Sequence, residues 1–183
     1  MLTDLQTHKL TRAFHVADAN HDGLIKRDDY EHHAERMAAA FSTPSDSSAY
    51  ATIHAQLMRD WEGVRQFVAQ GEDQVTLNDW LAFFDMLIHS PTFETWVTTY
   101  IDGSFELWKT VDPQGPTDGI NVERFAKFYS AYGVDADAAR ASFAKMDTDS
   151  DGFMSRAEMI AASRDFFSSD DPSAPGNWLY GEI

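Results

Sequence analysis

The segment "DTDSDGFMSRAE" at residues 147–158 constrains the chain more than any other. Aspartates stand at its first, third and fifth positions, glycine is sixth, and glutamate is twelfth. Alternate side chains of a tightly turning loop converge on one centre, and four carboxylates this close repel each other strongly without a cation. Hard divalent cations such as Ca²⁺ take six to eight oxygen ligands at about 2.3–2.6 Å. The spacing therefore predicts a divalent-cation site.

Each position of this segment has a role in that prediction. Gly152 permits the sharp turn, because a Cβ would be strained there. Position seven offers a carbonyl, position nine a hydroxyl or a bridging water, and position twelve two carboxylate oxygens. The alternative is a solvated acidic turn, and the apolar Met154 at position eight with its amphipathic flanks argues against it. The predicted ligands are Asp147, Asp149, Asp151, Phe153, Ser155 and Glu158.

An upstream segment, "DANHDGLIKRDD" at residues 18–29, follows the same plan. The predicted ligands are Asp18, Asn20, Asp22, the Leu24 carbonyl, Lys26 through water or its backbone, and Asp29. Asp29 is one methylene shorter than glutamate, so two-oxygen contact is harder and six-coordination is favoured. Since Mg²⁺ prefers near-octahedral geometry at about 2.0–2.1 Å, we expect Mg²⁺ to compete here and Ca²⁺ to bind more weakly than at residues 147–158.

Helical periodicity dominates the rest of the chain. Apolar residues spaced by three and four mark eight helices. A helix–loop–helix unit therefore recurs four times, with loops near 18–29, 68–79, 112–124 and 147–158. Ser90-Pro91 breaks the pattern at its midpoint. The sequence predicts an all-α fold of four units in two packed lobes, residues 1–90 and 91–169, followed by an irregular tail at 170–183.

The second and third loops look vestigial. In "VAQGEDQVTLND", Val68 occupies the first ligand position and has no side-chain oxygen. The third loop begins well at Asp112 but is one residue too long, and Arg124 stands where the carboxylate of position twelve belongs. A guanidinium there repels a cation. An ion gripped by Asp112 and Asp118 in a distorted geometry is the alternative.

The apolar eighth residues suggest why such loops are retained. Ile25 can pair with Val75, and Ile120 with Met154, as short antiparallel bridges between neighbouring loops. Each lobe would then contain one cation-binding loop and one loop that braces it.

The two ligand loops with their flanking helices resemble EF-hands. The four-unit layout, the long helix before a vestigial second loop and the aspartate at position twelve of the first loop resemble sarcoplasmic calcium-binding proteins, in particular the bacterial calerythrin-like proteins. The resemblance implies a compact globule with two lobes packed face to face. Members of the calerythrin type also use the third unit for calcium, and this chain departs from them there.

Composition limits the other function classes. The net charge of −16 disfavours nucleic acid and anionic lipid as partners and favours cations or basic partners. The chain has no cysteine, which excludes a disulfide scaffold and a thiol nucleophile. No apolar run has the length of a membrane span, and no secretory signal is evident. We expect a cytoplasmic monomer and, lacking a phosphate loop, serine elbow or helical His-Glu-x-x-His, no enzyme.

The sequence favours an intracellular Ca²⁺ buffer or store that binds two ions. Aromatic residues, 24 in all against seven Met, are typical of a core rather than of a flexible groove. Trp178, Leu179 and Tyr180 in the tail are expected to fold back onto the lobes. One alternative is a calcium-dependent regulator with a basic helical partner. The other is a luciferin-binding-like carrier of an apolar molecule, whose pocket would use some of His15, His21, His32, His33, His54 and His89.

Overall fold

The computed structural model describes residues 1–113 and 119–182, and these ranges contain the eight predicted helices. Six of the helices begin at a side chain that accepts a hydrogen bond from a backbone amide of the first turn, which satisfies a donor that has no partner inside the helix. The helices are α1 Asp4–Ala17, α2 Arg27–Ala40, α3 Ser48–Phe67, α4 Leu77–Leu87, α5 Phe93–Val111, α6 Val122–Ala131, α7 Ala136–Met146 and α8 Arg156–Ser168. None of these described helices is long and apolar enough to cross a membrane.

Four short strands join the loops in pairs. They are β1 Leu24–Ile25, β2 Val75–Thr76, β3 Gly119–Asn121 and β4 Phe153–Ser155. Strand β1 pairs antiparallel with β2, and Ile25 lies opposite Val75. Strand β3 pairs antiparallel with β4, and Ile120 lies opposite Met154. Both predicted bridges are confirmed, so the first loop is tied to the second and the third to the fourth.

The core runs through the whole molecule. Helices of the first half contact helices of the second, α1 against α8, α2 against α6 and α3 against α5. Phe84 of α4 stacks on Phe167 of α8 with ring centroids 5.1 Å apart. Phe14, Phe125 and Phe166 are almost fully buried. The aromatic residues therefore largely form the core, although the Phe67 side chain at the end of α3 is exposed.

The tail is more ordered than its turn-forming composition predicts. A 3₁₀ helix, Pro175–Trp178, lies against α7 and α8. Leu179 and Tyr180 are buried, whereas Trp178 is partly exposed beneath the Lys145 ammonium. A Cβ at Gly176 would lie 2.2 Å from the Ala162 carbonyl oxygen, so this close approach requires glycine.

A buried lysine fixes the tail to the first helix. Lys9 of α1 is fully buried, and its ammonium donates to the carbonyl oxygens of Asp165 at 2.8 Å and Ser169 at 2.7 Å. Its third hydrogen bond goes to Asn177 Oδ1 at 2.9 Å. Burial lowers the pKa of Lys9 to about 8, and all three donors of the charged form have acceptors.

Candidate metal centres

The fourth loop brings its first three predicted ligands together. One carboxylate oxygen from each of Asp147, Asp149 and Asp151 lies within 4.8 Å of the other two. The aspartates also shape the loop, because the Gly152 amide donates to Asp147 Oδ2 at 3.1 Å and the Phe153 amide donates to Asp151 Oδ1 at 2.8 Å. The loop is thus curled around its own carboxylates.

Two left-handed residues produce this curl. Ser150 has φ 58° and Gly152 has φ 83°. Glycine adopts such a conformation without the strain that a Cβ would add. The backbone therefore turns twice within three residues, and the side chains at the first, third and fifth positions reach one side of the loop.

Glu158 reaches the same loop from the first turn of α8. Its Oε2 accepts from the Ser155 amide at 3.0 Å and the Ser155 hydroxyl at 2.8 Å. Its Oε1 accepts from the Thr148 amide at 2.8 Å. Burial alone would raise the pKa of Glu158, but the hydrogen bonds from Ser155 and Thr148 outweigh it and lower that pKa. The carboxylate is charged and held at the loop.

One buried oxygen atom of this loop bears on the kind of ligand that the loop can hold. Asp147 Oδ1 is buried and has no hydrogen-bond partner. A buried carboxylate oxygen left unpaired is costly, and a hard cation is a partner that suits its chemistry. The donor set of aspartates, glutamate, hydroxyl and the Phe153 carbonyl consists of oxygen alone. These residues fit Ca²⁺.

The first loop repeats this backbone shape. His21 has φ 59° and Gly23 has φ 85°, at the same fourth and sixth positions of the loop. The Gly23 amide donates to Asp18 Oδ2 at 2.9 Å, as the amide of the sixth residue does in the fourth loop. The Asp22 amide donates to Asn20 Oδ1 at 2.9 Å, and the Leu24 amide donates to Asp22 Oδ1 at 3.0 Å. Sequence spacing predicted this likeness.

Asp29 accepts hydrogen bonds from two separate parts of the first loop. Its Oδ1 accepts from the Asn20 amide at 3.2 Å and its Oδ2 from the Lys26 amide at 2.8 Å. Asp29 is fully buried, and Asp18 is 1% exposed. Burial raises the pKa of the Asp29 carboxyl. The first and last predicted ligands of this loop are therefore more deeply buried than Asp147 and Glu158 of the fourth, whereas Asn20 and Asp22 are exposed.

A lysine in the first loop has a role that its sequence position did not reveal. The Lys26 ammonium lies 2.6 Å from Asp22 Oδ2 and lowers the pKa of that carboxyl. The sequence predicts contact with the ion through water or the backbone at this position, which stays a prediction, and in the structure the side chain pairs with a predicted ligand. Spacing carried no signal for this pair, because Asp22 and Lys26 precede α2 and the i,i+4 rule applies to residues of one helix.

The second and third loops depart from this geometry. Val68 is buried among apolar side chains, and the positive φ values of the second loop fall at its third and fourth positions, Gln70 and Gly71, where the first and fourth loops have them at the fourth and sixth. In the third loop, Asp112 forms an ion pair with Arg124. Asp118, the other half of the alternative distorted site, lies outside the described residues.

The histidines are dispersed. His33 is buried, with its ring centroid 4.8 Å from that of Tyr132 and its Nε2 3.2 Å from the Ala17 carbonyl oxygen. The adjacent His32 is exposed, as the angular spacing of neighbouring helical residues predicts. His15, His21 and His89 are also exposed.

Four helix–loop–helix units, joined in pairs through their loop strands, define a four-EF-hand fold of the sarcoplasmic calcium-binding protein type. No family model matches the chain. The sequence is similar to calerythrin of Saccharopolyspora erythraea, with 24% identity over 171 residues that cover 91% of this chain and 94% of calerythrin.

Solved structures show the same fold. The sarcoplasmic calcium-binding protein from amphioxus is 18% identical with a TM-score of 0.72, and all of both chains is covered. The coelenterazine-binding protein from Renilla muelleri, in its calcium-loaded apo form, is 21% identical with a TM-score of 0.76, again over the whole of both chains. The predicted resemblance to sarcoplasmic calcium-binding proteins and calerythrin-like proteins is confirmed.

Proposed function

We propose that this chain binds two Ca²⁺, one in the first loop and one in the fourth, and serves as an intracellular calcium buffer or store. The observation that carries the proposal is the oxygen cluster of the fourth loop, where Asp147 Oδ1 is buried without a partner. The first loop has the same backbone shape. When bound, Ca²⁺ supplies the positive charge that offsets the clustered carboxylates.

Calorimetric titration with Ca²⁺, with and without Mg²⁺, tests this proposal. We expect two binding events, the tighter at the fourth loop, with Mg²⁺ weakening the other. Each site should also raise the free energy of unfolding by about 2.7 kcal/mol at a hundredfold excess over its Kd. Absence of calcium-dependent heat and of calcium-dependent stabilisation would refute the proposal.

The docked tail supports a buffer over a switch. A sensor opens an apolar groove when calcium binds, whereas here Lys9 and Asn177 link the first helix to the tail, and Leu179 and Tyr180 are buried. Opening this side of the molecule would break the hydrogen bonds of a buried charge, which is costly.

Two glycine-to-alanine variants test the docking of the tail. Gly176→Ala should destabilise the protein by about 1–3 kcal/mol, because the added methyl overlaps the Ala162 carbonyl. Gly63→Ala in α3 is the matched control, since its Cβ would meet open space, and a helical Gly→Ala change gains up to about 1 kcal/mol. Thermal unfolding and binding of an apolar dye measure both variants. Equal stability of the two variants, or deletion of residues 170–183 without effect on either measurement, would contradict the docked tail.

The likeness to the coelenterazine-binding protein favours one second candidate, a carrier of an apolar small molecule. Absorbance of a co-purified chromophore would identify a carrier. Calcium-dependent capture of one specific basic helical peptide would instead identify a regulator. A buffer shows neither result and binds only the ions.

A further inference from the structure

The third loop contains an ion pair where the first and fourth loops have facing carboxylates. Asp112 directly follows α5, and its amide donates to the Trp108 carbonyl oxygen at 2.9 Å. Arg124 lies in the first turn of α6, and its Nε contacts Asp112 Oδ2. Both side chains are partly buried, with 31% of Arg124 and 26% of Asp112 exposed. The pair therefore joins the end of the incoming helix to the start of the outgoing helix.

The corresponding positions of the first and fourth loops show what the Asp112–Arg124 ion pair replaces. The incoming helices there lead into Asp18 and Asp147, and the outgoing helices carry Asp29 and Glu158. Both ends of each of those two loops are acidic, and like charges repel each other unless a cation lies between them. In the third loop, the guanidinium of Arg124 supplies that positive charge from within the chain.

The second loop provides a parallel. Arg65, in the last turn of α3, donates from Nη1 to the Gly71 carbonyl oxygen at 2.9 Å, and the Gly71 amide donates back to the Arg65 carbonyl oxygen at 2.8 Å. Glu62 holds the same guanidinium through both of its oxygens. Each of the two loops without a full ligand set is thus fixed by an arginine of a flanking helix.

We propose that Arg124 is a built-in substitute for the metal in the third loop and that it positions the fourth loop for Ca²⁺ before the ion arrives. The inference rests on the proposed calcium binding of the fourth loop. Arg124 is a positioning residue, since it acts through the strands and touches none of the predicted ligands.

The route from Arg124 to the fourth loop is short. The Arg124 side chain ties the start of α6 to Asp112 at the end of α5, and α6 directly follows β3, whose last residue Asn121 accepts from the Arg124 amide at 3.1 Å. Strand β3 pairs with β4. Asn121 lies opposite Phe153, Ile120 opposite Met154 and Gly119 opposite Ser155. Ser155 then donates two hydrogen bonds to Glu158. The Asp112–Arg124 pair therefore supports β3 and, through β4 and Ser155, the last predicted ligand of the fourth loop.

Hydrogen exchange in the calcium-free protein is the first test. In Arg124→Gln, we expect the amides of Ile120 and Met154 to exchange about fivefold faster than in the unchanged protein, as loss of a partly buried ion pair predicts. Arg124→Lys keeps the charge without the forked guanidinium and should restore part of the protection. Lys109→Gln is the matched control, because it removes one positive charge from an exposed pair on α5 and should leave the exchange unchanged.

Calcium titration is the second test. Arg124→Gln should weaken binding at the fourth loop about fivefold and leave the first loop unchanged, so the first loop serves as an internal reference. Asp112→Asn should have a similar effect, and the double variant should be no weaker than either single variant, which identifies the ion pair as the cause.

Amide hydrogen exchange that is unchanged in Arg124→Gln would overturn the proposal. Losses of calcium affinity that add strictly in the double variant would also overturn it. The exchange measurement needs no bound ion. A protein that fails to bind calcium would therefore refute the proposed function while leaving the role of Arg124 in the closed third loop measurable.

Discussion

The first and fourth loops share one backbone shape and differ in how much negative charge they leave uncompensated. Both turn through left-handed residues at the fourth and sixth positions. The fourth loop has four acidic ligands, two of them exposed, and a buried Asp147 oxygen without a partner. The first loop has three acidic ligands, and the Lys26 ammonium already pairs with one of them. Loop shape therefore fits the proposed metal binding of both loops, and we expect the uncompensated charge of each loop to set how strongly it attracts an ion.

Position twelve is the second difference between the two loops. Both carboxylates accept a backbone hydrogen bond at each oxygen, but Glu158 is partly exposed and one methylene longer, whereas Asp29 is fully buried. A short carboxylate in a buried position has little freedom to turn toward an ion. The fourth loop should accordingly be the tighter and more selective calcium site.

The largest expected effect is at Glu158. Glu158→Gln removes one charged ligand and should weaken calcium binding at the fourth loop about a hundredfold, since a charge-assisted contact contributes about 1.5–3 kcal/mol and 1.4 kcal/mol is tenfold in affinity. The first loop should keep its affinity. Glu72→Gln, an exposed change of the same kind in the second loop, is the control. Loss of both calorimetric sites in Glu158→Gln would show that the two loops are not independent.

A smaller effect is expected at Asp29. Asp29→Glu restores the longer carboxylate and should raise the Ca²⁺/Mg²⁺ affinity ratio of the first loop about tenfold, because Ca²⁺ accepts a seventh oxygen and Mg²⁺ does not. The added methylene enters a fully buried place and should lower the stability of the metal-free protein by about 1–3 kcal/mol.

Competition titration of Ca²⁺ against Mg²⁺ measures that ratio. Asp28→Glu, the same chemical change at the exposed neighbouring residue, is the control. A Ca²⁺/Mg²⁺ ratio unchanged by Asp29→Glu would show that the length of residue twelve does not set the selectivity of this loop.

Local periodicity explains how much of the architecture the sequence predicts. Apolar spacing gives the helices, and the apolar eighth residues give the Ile25–Val75 and Ile120–Met154 bridges, because both patterns depend only on nearby residues. Lys9 shows the limit. It lies in an ordinary amphipathic helix, yet its acceptors come from residues more than 150 positions later in the chain. No pattern around Lys9 could indicate that burial.

In the candidate sites, too, some features follow from local spacing and others depend on tertiary contacts. Ligand positions follow from spacing, since a tight loop aims alternate residues at one centre. The contact between Thr148 and Glu158 does not, because it depends on how α8 approaches the loop. The pairing of Lys26 with Asp22 depends on a rotamer choice that spacing permits without requiring.

The smallest effect, at Lys26, tests the charge argument most directly. Lys26→Gln removes the ammonium that pairs with Asp22 and should strengthen calcium binding at the first loop about threefold, since an exposed ion pair is weak. Arg27→Gln is the control, because Arg27 pairs with Glu31 on the exposed face of α2. Both variants change the net charge equally, so calorimetry at one ionic strength separates the local contact from the general field. Equal strengthening in the two variants would attribute the difference between the loops to overall charge instead of to the paired lysine.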